Sequence, residues 1–258
     1  MELKPVSETR YLLLHSSLSS GRQWQALTSQ LPEGRSHTPD LLGYGAAMQI
    51  IWTPRQVSLE EEMAAIIKQL PEDWQETPWH LIGHSYGAVN ALQLAYSFPE
   101  QFQSLALFEP VAFSLLPEGR EKQEVLQLVE ELNAHLDRGQ DDRAAEGFID
   151  YWNQPGHFSQ LPAEVRAAFT LGVHKVMADF HALMTLDWSL DELAERLHQP
   201  CLLMQGRESR STAHEVIKQL AKHLPRSSSI EFSGGHMAPL TQARQVNQTL
   251  LQFLECPE

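Results

Sequence analysis

The sequence predicts an α/β protein, a mostly parallel central sheet with helices on both faces and a helical segment inserted between two strands. Three observations carry this. Short apolar runs of strand length recur at 11–15, 79–83, 104–108 and 200–206, and runs that lack a polar face are typical of strands buried on both sides. Helix-period segments lie between them, the alternation that builds parallel sheets. From 117 to about 197 the strand signals stop and only helix patterns remain.

In chain order, Tyr11-Leu-Leu-Leu-His15 reads as a fully buried strand. Ser16-Ser-Leu-Ser-Ser-Gly21 reads as a donor-rich turn before a helix carrying Trp24, Leu27 and Leu31. Backbone N–H groups at such a strand end suit a developing oxyanion, although an ordinary serine-rich connector has the same composition. His37-Thr-Pro-Asp40 ends a further strand at the glycine-marked turn Leu-Leu-Gly43-Tyr-Gly45. Leu59, Met63, Ile66, Ile67 and Leu70 recur at helical spacing among acids, as on a surface helix covering a sheet. Trp79 to Gly83 is a strand, and the helix after it stops near Ser97-Phe-Pro99. Ser104 to Phe108 is the next strand. It ends at Glu109-Pro110, where the proline biases Glu109 toward an extended backbone.

Helices are predicted over 121–136, 142–152, 162–184 and 190–197, separated by turns such as Asn153-Gln-Pro-Gly156. The strand 200–206, a helix over 212–223, the strand 229–233, Gly234-Gly-His236 and a last helix over 241–254 complete the chain. A core domain is therefore expected over 1–113 and 198–258, with a helical cap over 114–197.

At 258 residues the chain suits one sizeable domain or a domain with a large insertion. Its formal charge of -14 argues against wrapping nucleic acid or docking on anionic lipid, both of which need cationic patches. Cys201 and Cys256 lie in different contexts without metal-ligand spacing, which points to a reducing compartment. Met1 to Arg10 carries no leader pattern, and no apolar segment approaches membrane-spanning length, so the cytoplasm is the expected location. The expected partner is a small-molecule substrate. His174 and His181 lie seven apart on one helix, but no third ligand is spaced to join them, and neither a metal nor an organic cofactor is implied.

The stretch that carries chemistry is Trp79-His-Leu-Ile-Gly83-His-Ser85-Tyr-Gly87-Ala-Val. A serine exposed at the tip of a strand-to-helix turn adopts a strained backbone, and the residues two before and two after it pass so close that only very small side chains fit. Gly83 and Gly87 meet that demand, so Ser85 reads as a nucleophile. The five-residue pattern is weak alone. Its flanks, a short apolar strand and a helix with Ala88, Ala91, Leu92, Leu94 and Ala95 packed closely against a sheet, supply the specificity. In open parallel sheets reactive groups gather at the carboxyl ends of the strands. There the sequence sets Ser85, then Glu109, then His236, which Gly234-Gly235 frees to aim inward. The order Ser, acid, His is that of a catalytic triad in this type of sheet.

These pieces together resemble the α/β-hydrolase superfamily, in its capped, esterase-like form. The resemblance runs from Tyr11 to the terminal helix. It rests on the His15-Ser-Ser turn with Trp24, Asp40-Leu-Leu-Gly-Tyr-Gly45, Gly-His-Ser85-Tyr-Gly, Gly206 after a strand, and Gly-Gly-His236. It implies the backbone N–H groups of Ser17 and Tyr86 as oxyanion donors, with Ser16 standing where many members have glycine. Family members usually carry an Asp three residues after the glycine that ends the penultimate strand. Here that position is Ser209, which cannot balance an imidazolium as a carboxylate does.

Glu109 is the expected replacement. It ends the strand beside the nucleophile strand, roughly 5 Å away, a position some haloalkane dehalogenases use for their acid. It is also the one charge in Leu105-Ala-Leu-Phe-Glu-Pro-Val-Ala-Phe113, where an unpartnered carboxylate would be costly. Glu208, Asp187 and Asp191 are the alternatives, as is a site without an acid.

The chemistry implied is acyl transfer. His236 takes the Ser85 proton, the alkoxide attacks an ester-type carbonyl and water deacylates the intermediate. A Ser nucleophile argues against the superfamily's dehalogenases and epoxide hydrolases, which use Asp. Trp152, Phe180 and Met184 are the expected pocket residues of the cap, although the stripe Val173, Met177, Phe180, Met184 also fits plain core. Carbon–carbon bond hydrolysis, thioester cleavage, acyl transfer or peracid formation on the same triad, and a low-activity ligand-binding role, are the alternative functions.

Overall fold

Six strands, β1 (Arg10–Leu14), β2 (Ser36–His37), β3 (Trp79–His84), β4 (Phe102–Phe108), β5 (Cys201–Gly206) and β6 (Ser227–Phe232), pair in parallel in the order β2-β1-β3-β4-β5-β6. This computed structural model describes residues 9–49, 52 and 56–257. Most of the stretch Met1–Arg10, read from the sequence as lacking a leader, lies outside them. The helices are α1 (Gln25–Thr28), α2 (Leu59–Ile67), α3 (Tyr86–Ser97), α4 (Arg120–Leu136), α5 (Asp141–Trp152), α6 (His157–Gln160), α7 (Ala163–Met184), α8 (Leu190–Arg196), α9 (Ser211–His223), α10 (Ala238–Thr241) and α11 (Ala243–Glu255). None of those described is long and apolar enough to cross a membrane.

Successive strand residues point to opposite faces of the sheet, and both faces here are apolar. Leu12, Leu14, Leu81, Leu105, Leu107 and Leu203 pack with residues of α2, α3, α9 and the helices between β4 and β5. Leu13, Ile82, Ala106, Phe108, Leu202 and Met204 pack with Trp24 and Leu27 on one side of the chain's course and Val246, Leu250 and Leu254 of α11 on the other. The two-sided burial explains why these strands read as continuous apolar runs.

Strand β1 has β2 on one side and β3 on the other, so the direction of winding reverses between them. The carboxyl ends of β1 and β3 therefore flank a crevice, the place where open α/β sheets hold their ligands. Helices α4 to α8 all fall between β4 and β5.

Several boundaries differ from the sequence reading. The helix expected from Trp24 to Leu31 is only a 3-10 turn at Gly21–Trp24 followed by the four residues of α1. The terminal helix expected over 241–254 is α11, with the additional short α10 before it, and the short α6 follows Gly156, whose φ is +81°. Asp150 makes that turn by accepting from Gly156 N–H (2.6 Å) and Phe158 N–H (2.8 Å).

Candidate active site

Ser85 stands between β3 and α3 with φ 57° and ψ -119°, a conformation that L-residues rarely adopt. Bonds on both sides hold it there. Its N–H continues the ladder to Phe108 C=O (2.9 Å), and its C=O accepts from Ala88 N–H (3.0 Å) and Val89 N–H (3.2 Å). Close packing accounts for the glycines. A Cβ on Gly83 would lie 2.5 Å from Ala88 Cα, and one on Gly87 would lie 2.4 Å from the carbonyl oxygens of Leu14 and His15.

His236 reaches Ser85 from beyond β6. Its Nε2 is 2.9 Å from Ser85 Oγ, and its Nδ1 is 2.6 Å from Glu109 Oε2. The other carboxylate oxygen of Glu109 accepts from Gly206 N–H and from Ser209 Oγ, both at 2.6 Å. Serine at 209 therefore donates to the acid that lies one strand over. All three principal groups are buried, with Glu109 fully inaccessible. Three donors to one carboxylate offset much of its desolvation cost. The expected extended backbone at Glu109 is not found. Its φ is 42°, and its N–H is bonded to Met204 C=O (2.9 Å), so the ladder to β5 overrides the bias from Pro110. Glu208, Asp187 and Asp191 are exposed, and none of them bonds to His236 among the described contacts.

Two residues that sequence reasoning passed over complete the frame. His84 is fully buried and its pKa is held well below the usual histidine value, by burial first and then by His236. As a neutral ring it donates from Nε2 to the His236 carbonyl (2.9 Å) and accepts at Nδ1 from Gln23 Nε2 (3.1 Å). Gln23 Oε1 in turn accepts from Ser16 N–H and Ser16 Oγ, both at 3.0 Å. The chain Ser16–Gln23–His84 thus ties the β1 turn to the backbone of His236. His84 lies inside the elbow motif and was visible there, whereas nothing local marks Gln23. His15, pushed down to about 4 by burial, donates from Nδ1 to Ser16 C=O (2.7 Å) and accepts from Leu41 N–H (3.0 Å).

A cavity of about 290 Å³ opens on Ser85 and His236, bounded by Ser17, Trp152, Phe169 and Leu240 among others. Trp152 stacks on the His236 ring with centroids 3.9 Å apart and planes 25° from parallel. Phe180 and Met184, expected beside Trp152, do not line this cavity. They face a second hollow of about 680 Å³ with Val129 and Leu136 of α4. The reason is position along the helix. Val165 and Phe169, in the first turns of α7, line the cavity with Ser85, whereas Phe180 lies on nearly the same face three turns further on, roughly 16 Å along the axis, and with Met184 meets α4 there. Phe180 also packs against Phe113, with centroids 6.1 Å apart.

The model of the alpha/beta hydrolase fold family matches residues 12–243. Among curated relatives, lipase LipV of Mycobacterium tuberculosis is 32% identical over 107 residues, 41% of this chain and 39% of that protein. The chain thus spans about two fifths of that relative's length. The magnesium-chelatase 30 kDa subunit of Rhodobacter capsulatus is 26% identical over 97% of this chain and 88% of its own. Among solved structures, MGS-M2, an alpha/beta hydrolase enzyme from a Medee basin deep-sea metagenome library, superposes with a TM-score of 0.79. It covers 100% of this chain and 93% of its own at 15% identity, a likeness of fold. With its parallel sheet, its strand–serine–helix turn and the family match running from β1 to α11, this chain belongs to the alpha/beta hydrolase fold family.

Proposed function

We propose that the protein is a serine hydrolase that cleaves ester-type bonds of small, partly apolar substrates through an acyl-enzyme on Ser85, with a Ser85–His236–Glu109 triad. The observation that carries this reading is the pair of contacts that His236 makes. One ring nitrogen is at hydrogen-bond distance from the serine hydroxyl and the other from a buried carboxylate. A carboxylate only accepts, so the Nδ1 proton faces Glu109 and Nε2 is left as the base. His236 takes the Ser85 proton as Oγ attacks the carbonyl, returns it to the leaving alcohol, and then activates the water that frees the acid. The developing oxyanion is held by the N–H groups of Tyr86 and Ser17. Tyr86 is the first residue of α3, so its N–H has no acceptor within the helix, and the helix dipole adds positive potential there.

Residues 114–197 act as a cap over a core of 1–113 and 198–258, and the cap contributes Phe148, Ile149, Trp152, Leu161 and Phe169 to the cavity. No Lys or Arg is among the described residues that line it, which favours neutral acyl groups over carboxylate or phosphate-bearing ones. A volume of about 290 Å³ lies at the small end of ligand sites, which favours short to medium chains. Two unpaired cysteines fit a cytoplasmic setting, and the charge of -14 fits a protein without nucleic-acid or anionic-membrane partners.

Turnover of a chain-length series of nitrophenyl esters, together with covalent labelling of Ser85 by a fluorophosphonate, tests this. Activity that peaks at short to medium acyl chains and is lost in Ser85→Ala is expected. No turnover across the series and no labelling would overturn it.

A further inference from the structure

Beside the candidate site lies a buried ionic group that the proposed reaction does not use. Lys175 and Asp179 sit one turn apart on α7, and Glu62 sits on α2, with exposures of 0%, 2% and 0%. Lys175 Nζ donates to Glu62 Oε1 (2.7 Å) and to Asp179 Oδ1, and its ammonium lies 4.7 Å and 5.0 Å from the ring centroids of Tyr44 and Tyr86. Asp179 Oδ2 accepts from the Tyr44 hydroxyl and from Ser17 Oγ (2.9 Å). Glu62 accepts from Tyr86 hydroxyl (3.2 Å) and from Leu42 N–H (3.0 Å). Two carboxylates share one ammonium, and each carboxylate oxygen has a donor.

Such a group is a poor device for stability, because well-packed apolar residues of similar volume serve as well or better. Its value lies in what it locates. One end is helix α7 of the segment between β4 and β5. The other end is Ser17 and Tyr86, the two residues assigned above as oxyanion donors. The same face of α7 grips the neighbouring residue as well. Gly172, three residues before Lys175, lies so close to Leu18 that a Cβ would be 2.4 Å from Leu18 Cδ2. Leu18 itself has φ 56°, a strained conformation that needs support from its surroundings.

We propose that this face of α7 is a strut that positions the oxyanion-binding backbone, with Lys175 and Asp179 as positioning residues that act through Ser17 and Tyr86. The inference rests on the serine-hydrolase reading for the role of those two backbone groups. It implies that the site is competent only while α7 is seated on the β1 turn, so that seating the cap and completing the oxyanion site are one event.

The test uses the full chain with two separate changes. Ser17→Ala removes only the hydroxyl that faces Asp179 and keeps the backbone N–H, and Asp179→Asn removes the charge but keeps an acceptor. In Ser17→Ala the expected result is a melting temperature within a few degrees of wild type, with kcat on a nitrophenyl butyrate and the rate of fluorophosphonate labelling both down about tenfold. That is a fraction of the loss from deleting an oxyanion donor. KM stays within about twofold, since the effect arises only where the oxyanion forms, and amide hydrogen exchange at 16–19 becomes faster. Asp179→Asn should show the same kinetic and exchange pattern more strongly, with a lowered melting temperature because the buried Lys175 loses one of its two charge partners. Unaltered turnover and labelling in Ser17→Ala and in a folded Asp179→Asn would overturn the positioning role. A wild-type Ser85 that the probe never labels would overturn the hydrolase reading instead, and the exchange rates would still decide whether the strut holds the 16–19 turn.

Discussion

Glu109→Gln is the most informative single change, because the structure dictates how the new amide must sit. In the wild type one carboxylate oxygen accepts from two donors, Gly206 N–H and Ser209 Oγ, at 2.6 Å each. A glutamine must keep its carbonyl oxygen on that side, since turning its NH₂ there would set donor against donor at the Gly206 amide. The NH₂ then faces His236 Nδ1, 2.6 Å away in the wild type. Nδ1 becomes the acceptor, the ring proton moves to Nε2, and Nε2 can no longer take the Ser85 proton. A wrong tautomer of this kind costs about ten-thousand-fold in kcat, or about 5.4 kcal/mol. The fold should suffer little, because the substitution keeps shape and removes a fully buried charge. Steady-state turnover of a nitrophenyl ester with a melting curve alongside measures both. A Glu109→Gln enzyme within tenfold of wild-type kcat, particularly one beside a Glu208→Gln enzyme that has collapsed, would refute the reasoning.

Three further outcomes follow from burial and stacking. Trp152→Ala removes the ring stacked on His236 and the favourable contact it offers an imidazolium, so kcat should fall about tenfold, with Trp152→Phe retaining most of it; equal activity in all three would sink this. Acidification should destabilise the fold. His15 and His80 are each pushed down to about 4 by burial, so the stability each contributes is full above pH 6.5 and is lost toward pH 4, about 3 kcal/mol apiece. Asp179, raised to about 6 by burial, opposes this by binding a proton in the fold between about 6 and 4, and recovers a similar amount once. The melting temperature should therefore drop between pH 7 and 4.5, less steeply in His80→Gln, and a rise would reverse the sign of the argument. Finally, Cys201 is buried with its thiol pushed up to about 12, and Cys256 is exposed. A disulfide reagent should titrate one thiol in the native protein and two after unfolding, and two fast native thiols would contradict the packing around β5.

Much of the sheet was legible because its strands are buried on both faces and so appear as unbroken apolar runs. The long helices between β4 and β5 were legible from periodicity, with α4 found at Arg120–Leu136 against 121–136 expected. What escaped depends on partners far apart in sequence. Gln23 meets His84 across 61 positions, and Lys175 meets Glu62 across 113. A glutamine on a short turn and a lysine in an apolar helix give no local sign of such pairings. The cavity lining failed for a different reason. Periodicity shows which residues of α7 share a stripe, but which part of that stripe reaches Ser85 depends on where along its length the helix crosses the site.

The place proposed for the triad acid has a structural logic that only the backbone reveals. Ser85 is the first residue past β3, has positive φ and donates its N–H to Phe108 C=O, at the end of β4. Glu109 is the first residue past β4, has positive φ and donates its N–H to Met204 C=O of β5. The two occupy equivalent positions one strand apart, each a strained residue held by the last ladder bond from its neighbour. A carboxylate lodged there is as tightly positioned as the serine, whereas position 209 lies on a turn beyond β5. Once the strained strand end carries the acid, position 209 needs only a donor, and a second carboxylate there would face the first at about the present 2.6 Å and force one of them to take up a proton. Under the proposed triad, serine at 209 and glutamate at 109 are therefore complementary, the one donating to the carboxylate of the other.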